Sequence, residues 1–132
     1  MKLLFVCCLS ALILSCNSNP KYAKAENAQD AGREFIRASL DGDYKRARFY
    51  LLGDADNLRL IETQERNYEE MTVKEKSEYK DASIRPINIQ PENDSVTIYS
   101  YYQTSTPSDT TTLKVVKHNG EWLVDLKSIV KQ

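Results

Sequence analysis

The spacing of hydrophobic residues divides the chain into three parts. A nearly continuous apolar run comes first, apolar positions three and four residues apart follow, and alternating apolar and polar positions begin near residue 84. Spacing of three and four residues is typical of amphipathic helices, and alternation is typical of strands with one buried face. The order therefore predicts helices first and an antiparallel sheet afterwards.

Helix-breaking and helix-capping residues divide the middle part into four predicted helices. Gly42 suits the end of a first helix, and Asp43 suits the start of a second. Asp54 or Asp56 can cap a third helix, whose inward candidates include Leu58. The fourth begins with a capping box at residues 72–75. The predicted helices cover residues 28–40, 44–52, about 55–70 and 73–80.

The residue pattern in the last third of the chain predicts four strands. Pro86 favours an edge strand or a bulge for the first of them, and Asn119-Gly120 favours a tight hairpin between the last two. The predicted strands cover residues 84–91, 95–104, 110–117 and 121–127. We therefore expect an α+β fold in which the N-terminal helices pack on a curved four-stranded antiparallel sheet.

The N-terminus has the layout of an export signal. Lys2 is followed by an apolar run of twelve positions from Leu3 to Leu14, interrupted only by Ser10, and this is fewer than the roughly 20 residues needed to span a bilayer. Ile13-Leu14-Ser15-Cys16 resembles the lipobox of bacterial lipoproteins. The resemblance implies that residues 1–15 are removed as a signal peptide and that Cys16 carries the lipid that anchors the protein. A plain signal peptide with an incidental cysteine is the alternative.

Lipidation would make a membrane the first partner of the protein. The resemblance to Gram-negative lipoproteins implies that Asn17, in place of an aspartate after the cysteine, favours the outer membrane of the cell envelope, and we expect its periplasmic face. Residues 16–27 are predicted to form the lipidated cysteine and a polar tether, which reaches at most about 40 Å. Residues 28–132 are predicted to form a single domain.

Charge and cysteine content exclude several function classes. The 18 basic and 19 acidic side chains are nearly balanced, which argues against nucleic acid as a partner. The cysteines are residues 7, 8 and 16, so the domain has no disulfide framework or thiolate metal cluster. We expect no cofactor.

Four stretches together resemble small bacterial lipoproteins that carry a domain of unknown function with a nuclear-transport-factor-2-like (cystatin-like) fold. The stretches are residues 31–38, 41–47, 94–98 and 117–125. The resemblance implies a cone-shaped domain whose sheet curls around the first helix, and it implies no activity. Enzymes of this fold, such as ketosteroid-isomerase-like proteins, use an inward Asp or His as general acid or base.

Two side chains are candidates for such chemistry. His118 is the only histidine, and its place beside a hairpin turn predicts exposure to solvent. Asp125 alternates with Trp122 and Val124 along the fourth strand, so its side chain is predicted to lie on the opposite, outer side of the sheet. The alternative is a buried Asp125 with a raised pKa. We therefore assign no catalytic residue. Helix capping also explains the aspartates that suggest a metal loop, which are Asp41, Asp43, Asp54 and Asp56.

Tyr99 and Tyr101 share a face of the second strand and are the predicted ligand face, since an exposed pair can stack on a sugar or peptide. The alternative is that these tyrosines only shield the sheet. Ser95 and Thr110 each follow an aspartate and fit a short O-glycosylation pattern of some Gram-negative bacteria.

These observations predict a non-catalytic binding or accessory module that engages an envelope protein, peptide or glycan. A small-molecule-binding protein or enzyme of the ketosteroid-isomerase-like kind is one alternative, and a purely structural envelope lipoprotein is another.

Overall fold

The computed structural model describes residues 21–131, with side chains as far as residue 128. The predicted signal peptide and Cys16 therefore lie outside the described residues. Four helices precede four strands, as predicted. The elements are α1 (Ala28–Asp41), α2 (Tyr44–Phe49), α3 (Ala55–Glu69), α4 (Val73–Asp81), β1 (Ile84–Asn93), β2 (Val96–Gln103), β3 (Thr111–His118) and β4 (Glu121–Lys131).

Side-chain caps set the helix boundaries. Gly42 adopts a left-handed conformation with φ of 72° at the end of α1, which a glycine tolerates without strain. Asp43 and Asp54 accept hydrogen bonds from backbone N–H groups in the first turns of α2 and α3. Thr72 and Glu75 form the predicted capping box of α4. Capping is confirmed at each of these positions, but it does not explain Asp41 and Asp56, whose carboxylates pair with Arg37 and Arg59.

The strands form one antiparallel sheet in the order β1-β2-β3-β4. Asn119 and Gly120 both have positive φ, 49° and 77°, at the predicted β3–β4 hairpin. β1 is an edge strand whose pairing with β2 is irregular beside Pro86 and Pro91. It continues through both prolines because an edge strand leaves half of its N–H groups unpaired.

Helix α1 packs against all four strands, which confirms an α+β fold with helices on a curved sheet. The contact is close at Gly32, because an added Cβ would lie 2.9 Å from Cδ2 of Tyr99. The hydrophobic core centres on this interface and includes Phe35 and Ile36 of α1 and Leu113 of β3, among other buried residues.

A short stretch after α2 pairs with the sheet, which the sequence did not predict. Helix α2 ends at Phe49, and Leu51 forms a parallel bridge with Val124 of β4. The N–H of Val124 donates to the carbonyl of Tyr50 at 2.8 Å, and the N–H of Leu52 donates to the carbonyl of Val124 at 2.9 Å. These bonds explain why the predicted second helix is three residues too long.

The inward face of α3 also differs from the prediction. Leu58 is 41% exposed, whereas Asn57 is fully buried. Ile61 and Tyr68 face the core as expected. The polar Asn57 takes the inward position because it has hydrogen-bond partners on β4, described below.

The predicted tether is partly built into the domain. Rings of Tyr22 and Phe49 lie 5.7 Å apart, the hydroxyl of Tyr50 donates to the carbonyl of Ala23 at 2.7 Å, and Lys24 forms an ion pair with Glu121. Residues 21–27 therefore belong to the domain. Within residues 21–131 no helix combines the length and hydrophobicity needed to cross a bilayer.

Candidate functional site

A cleft of about 320 Å³ lies between the second half of α1, the start of α2, helices α3 and α4, and the sheet. Its walls combine four tyrosines with apolar and mostly uncharged polar side chains. We call it the tyrosine cleft. The lining residues are Phe35, Ile36, Ser39, Leu40, Tyr44, Gln64, Asn67, Tyr68, Met71, Tyr79, Tyr101, Gln103, Thr106, Asp109, Thr111 and Leu113.

The tyrosines reach the cleft from four different elements. Tyr44 begins α2, Tyr68 lies in the last turn of α3, Tyr79 lies near the end of α4, and Tyr101 lies near the end of β2. The rings of Tyr44 and Tyr68 meet edge to face with centroids 5.8 Å apart. Such contacts fix the ring positions, because edge-to-face pairs are favoured by the charge distribution of the rings.

Two phenols of the cleft, those of Tyr44 and Tyr101, have raised pKa values. Burial, reinforced by the neighbouring Tyr68, raises the pKa of Tyr44 to about 12. Burial also raises the pKa of Tyr101 to about 12, although a hydrogen bond with Thr111 acts in the opposite direction. The hydroxyl of Tyr44 donates to the carbonyl of Gln64 at 3.3 Å. Both phenols therefore stay protonated and uncharged.

The loop between β2 and β3 forms the rim of the cleft. Backbone turns hold it, since the N–H of Thr106 donates to the carbonyl of Gln103 at 3.1 Å and the N–H of Asp109 donates to the carbonyl of Thr106 at 3.0 Å. Asp109 is the only carboxylate among the described lining residues and is exposed. The interior of the cleft is therefore neutral.

Only one tyrosine of the predicted ligand face lines the cleft. Tyr99 is 1% exposed and packs on Gly32, so the expectation of an exposed Tyr99 is wrong. The reason is strand alternation, because Thr97, Tyr99 and Tyr101 point to the side that the helices cover. Tyr101 meets Tyr99 edge to face at 6.0 Å, and it reaches the cleft.

His118 is exposed beside the hairpin turn, as expected, with Nε2 at 3.3 Å from the side-chain amide nitrogen of Asn119. It is not part of the tyrosine cleft.

Asp125 is buried, with 7% of its surface exposed, so the prediction of a surface position is wrong. Its carboxylate accepts from the side-chain amide of Asn57 and from the backbone N–H of Lys127, both at 3.2 Å. It is buried because α3 packs on β4 at this point. Asp125 does not line the tyrosine cleft.

Ser95 and Thr110 lie at turn-to-strand junctions. Ser95 is exposed in the β1–β2 turn, where its N–H donates to Oδ1 of Asn93 at 2.9 Å. Thr110 is half-buried and directly precedes β3. A modifying enzyme would find Ser95 the more accessible of the two, and glycosylation stays a prediction at both.

In the part of the chain that the structure describes, no three potential His, Cys, Asp or Glu ligands come together around a common point. Compared with known proteins, the chain matches no family model and no curated protein.

The sequence analysis missed most of the cleft. Tyr44, Tyr68 and Tyr79 are separated by 11 or more residues along the chain, so no local spacing connects them. The one available indication was the content of eight tyrosines in the chain.

Proposed function

We propose that this protein is an envelope lipoprotein, anchored by lipid on Cys16, whose domain binds a peptide or glycan without converting it. The tyrosine cleft, with four phenols around a neutral interior, carries the proposal. Its volume of about 320 Å³ is at the small end of the range typical of ligand sites. A ligand of one or two sugar or amino-acid units would fit.

The chemistry of the walls suits an uncharged, polar ligand with an apolar face. Aromatic rings supply flat apolar contact area. The phenol oxygen of Tyr44, whose O–H is bonded to Gln64, can still accept a hydrogen bond from a ligand hydroxyl or N–H group. Gln64, Asn67 and Gln103 add amide donors and acceptors around the same space. Sugars and short peptides present this combination of surfaces.

The positions of the candidate acid–base groups favour binding over catalysis. A general acid or base must lie within hydrogen-bonding reach of the reacting group. His118 and Asp125 lie outside the cleft, and Asp109 lies at its rim. An enzyme of the ketosteroid-isomerase-like kind would depend on Asp109, so an activity abolished by Asp109→Asn would support that alternative instead.

Ligand binding can be tested by isothermal titration calorimetry of the full lipoprotein in detergent. The titrants are N-acetylglucosamine oligomers and short neutral peptides. We expect Tyr68→Ala to weaken binding by about tenfold or more, since removing a buried aromatic contact costs on the order of 2 kcal/mol. Tyr102→Ala is the matched control, because Tyr102 follows Tyr101 on β2 and does not line the cleft.

Equal losses in both variants, or no heat with any titrant, would contradict a binding role for the cleft. The anchor is tested separately by intact-mass spectrometry of protein from bacterial membranes. Acyl mass on a chain that begins at Cys16, absent from a Cys16→Ala variant, is the expected result. A mature chain without acyl mass would overturn the anchor and leave the cleft hypothesis standing.

A further inference from the structure

A second cavity, of about 530 Å³, lies between α1, the residues that link α4 to β1, and the start of β1. Its walls include Gln29, Arg33, Ala82, Ile84, Pro86 and Tyr99. Among the described residues it shares none with the tyrosine cleft. We call it the α1–β1 pocket. Its volume lies within the range of small-molecule sites, so its polar groups indicate what it binds.

Tyr99 brings a buried phenol to this pocket. The ring lies across Gly32 of α1, which has no side chain to block it, and only 1% of the residue is exposed. Within residues 21–128 the Tyr99 hydroxyl has no hydrogen-bond partner, although every fully enclosed side-chain nitrogen and oxygen there has one. The small exposed part of Tyr99 therefore includes its hydroxyl, which reaches open space in the α1–β1 pocket.

The Tyr99 hydroxyl and Arg33 are hydrogen-bond donors to this pocket. Burial raises the pKa of Tyr99, and the positive charge of Arg33 opposes this only in part, so the phenol keeps its proton at neutral pH. Arg33 uses Nη2 for its bonds to Asp30 at 2.5 Å and Glu34 at 3.4 Å. Its Nε and Nη1 atoms have no partner within residues 21–128 and are available as donors.

The pocket offers these donors without a net charge. Each charged side chain that lines it pairs with an opposite charge, and three basic side chains balance three acidic ones. The pairs are Arg33 with Asp30 and Glu34, Arg46 with Glu34, and Arg37 with Asp41. A carboxylate ligand would bring an uncompensated negative charge, at a cost in desolvation, and would compete with Asp30 and Glu34 for Arg33. An uncharged oxygen acceptor avoids both costs.

We infer that the α1–β1 pocket binds an uncharged amide, whose carbonyl oxygen accepts hydrogen bonds from the Tyr99 hydroxyl and the Arg33 guanidinium. A carbonyl oxygen has two lone pairs, so one oxygen can accept from both donors. Ala82, Ile84 and Pro86 supply apolar contact for a short aliphatic group beside the amide. N-acetylated amino-acid amides combine these features. Binding here depends on neither the lipid anchor nor the tyrosine cleft.

NMR titration of the full chain in detergent tests this pocket. The tyrosines carry an isotope label at Cζ, and the Tyr99 signal is identified by its absence from a Tyr99→Phe variant. The titrants are N-acetylvaline amide, which is uncharged, and N-acetylvaline, which has about the same size and a free carboxylate. We expect the amide to shift the Tyr99 signal saturably and the acid to bind more weakly.

Tyr99→Phe removes the hydroxyl and keeps the ring. Binding to this variant is followed by the backbone amide signal of Ser83, which also lines the pocket. The affinity for the amide should fall about fivefold, as expected for one lost hydrogen bond. Tyr102→Phe is the control, because Tyr102 lines neither cavity. Neither variant should unfold at a lower urea concentration than the wild type.

Arg33→Gln removes the second donor group together with its charge. The affinity for the amide should again fall about fivefold. Arg59→Gln is the matched control, because Arg33 and Arg59 each pair with the aspartate three residues before them. Arg59 lines neither cavity, so its replacement should leave the affinity unchanged.

The absence of a saturable Tyr99 shift, or equal weakening by Tyr99→Phe and Tyr102→Phe, would overturn the α1–β1 pocket as a binding site. Tighter binding of the acid than of the amide would overturn the uncharged ligand class. A lower stability of Tyr99→Phe would show that the hydroxyl is bonded within the protein and is no free donor. Tyr68→Ala, which tests the tyrosine cleft, should leave the Tyr99 shift intact. Loss of the shift in that variant would assign the amide to the cleft instead.

Discussion

Asn57 of α3 and Asp125 of β4 form a buried hydrogen-bonded pair that joins the helical layer to the last strand. Nδ2 of Asn57 donates to Oδ1 of Asp125 at 3.2 Å, and Oδ1 of Asn57 accepts from the backbone N–H of Leu126 at 2.8 Å. The same amide also donates to Asp54, the cap of α3, at 3.2 Å. The side chain of Asn57 thus bonds both to the N-cap residue of α3 and to β4.

Replacement of Asn57 by leucine should destabilise the domain strongly. The carboxylate of Asp125 and the N–H of Leu126 would lose a partner in a buried site, where each unsatisfied group costs about 1–3 kcal/mol. We expect the free energy of unfolding, measured in urea, to fall by about 3 kcal/mol. Asn88→Leu makes the same change at an exposed position of β1 and should change it by less than about 0.5 kcal/mol. Similar losses in both variants would contradict a structural role for the pair.

Gly32→Ala should also destabilise the domain, although alanine is the better helix former. The new Cβ would lie 2.9 Å from Cδ2 of Tyr99, and that ring is buried and cannot move away freely. We expect a loss of about 1–3 kcal/mol in the free energy of unfolding. Gly53→Ala is the control because nothing lies within 4 Å of its added Cβ. A neutral or stabilising Gly32→Ala would show that α1 and β2 are less tightly packed than described.

Arg37 holds the end of α4 in place. Its guanidinium donates to the carbonyls of Ala82 at 2.7 Å, Lys80 at 3.0 Å and Tyr79 at 3.2 Å, and it pairs with Asp41. No side chain of helix α4 is fully buried, and the half-buried Tyr79 packs against the core, so these bonds are a large part of its attachment. Because Tyr79 lines the tyrosine cleft, Arg37 also positions one wall of the site.

Arg37→Lys should therefore loosen α4 while it preserves the charge. Lysine lacks the planar fork that reaches several carbonyls at once. We expect amide hydrogen exchange in α4 to accelerate about tenfold or more, with little change in α1. Arg33→Lys is the control on the same helix, since its bonds are to Asp30 and Glu34 of α1 itself and not to α4. Unchanged exchange in α4 would show that other contacts hold it.

High pH should unfold the protein through its tyrosines. The pKa of Tyr44 is about 12 in the folded chain against an ordinary value of 10.0, so the unfolded chain loses this proton first as the pH rises. The folded state then binds more protons than the unfolded state, and stability falls between about pH 10 and pH 12. Below pH 10 this contribution is fully present. With allowance for solvent screening, its loss is about 1–2 kcal/mol.

A Tyr44→Phe variant isolates this effect. Urea unfolding at about pH 9 and about pH 11 should show a smaller loss of stability in the variant than in the wild type. Tyr102→Phe, which removes a phenol that does not line the tyrosine cleft, should behave like the wild type. Parallel pH dependence in all three proteins would show that Tyr44 ionises equally in both states.

Most of the secondary structure was determined by local sequence. Gly42, Asp43 and the Thr72–Glu75 box end or begin helices through contacts within one turn, and Asn119-Gly120 adopts a turn of positive φ. Such features act between residues close in sequence, which is why spacing and residue type predicted all eight elements.

The site was decided by tertiary structure. Because α1 packs on the face of β2 that carries Tyr99 and Tyr101, Tyr99 is buried and Tyr101 reaches the cleft. The burial of Asp125 depends on Asn57, which lies 68 residues away in sequence, and the short pairing at Leu51 depends on a free edge of β4. Burial of a polar side chain is favourable only when a distant segment supplies its partner. The sequence alone therefore determined the elements and the lipobox-like N-terminus, whereas the packing of α1 and α3 on the sheet determined which side chains form the cleft.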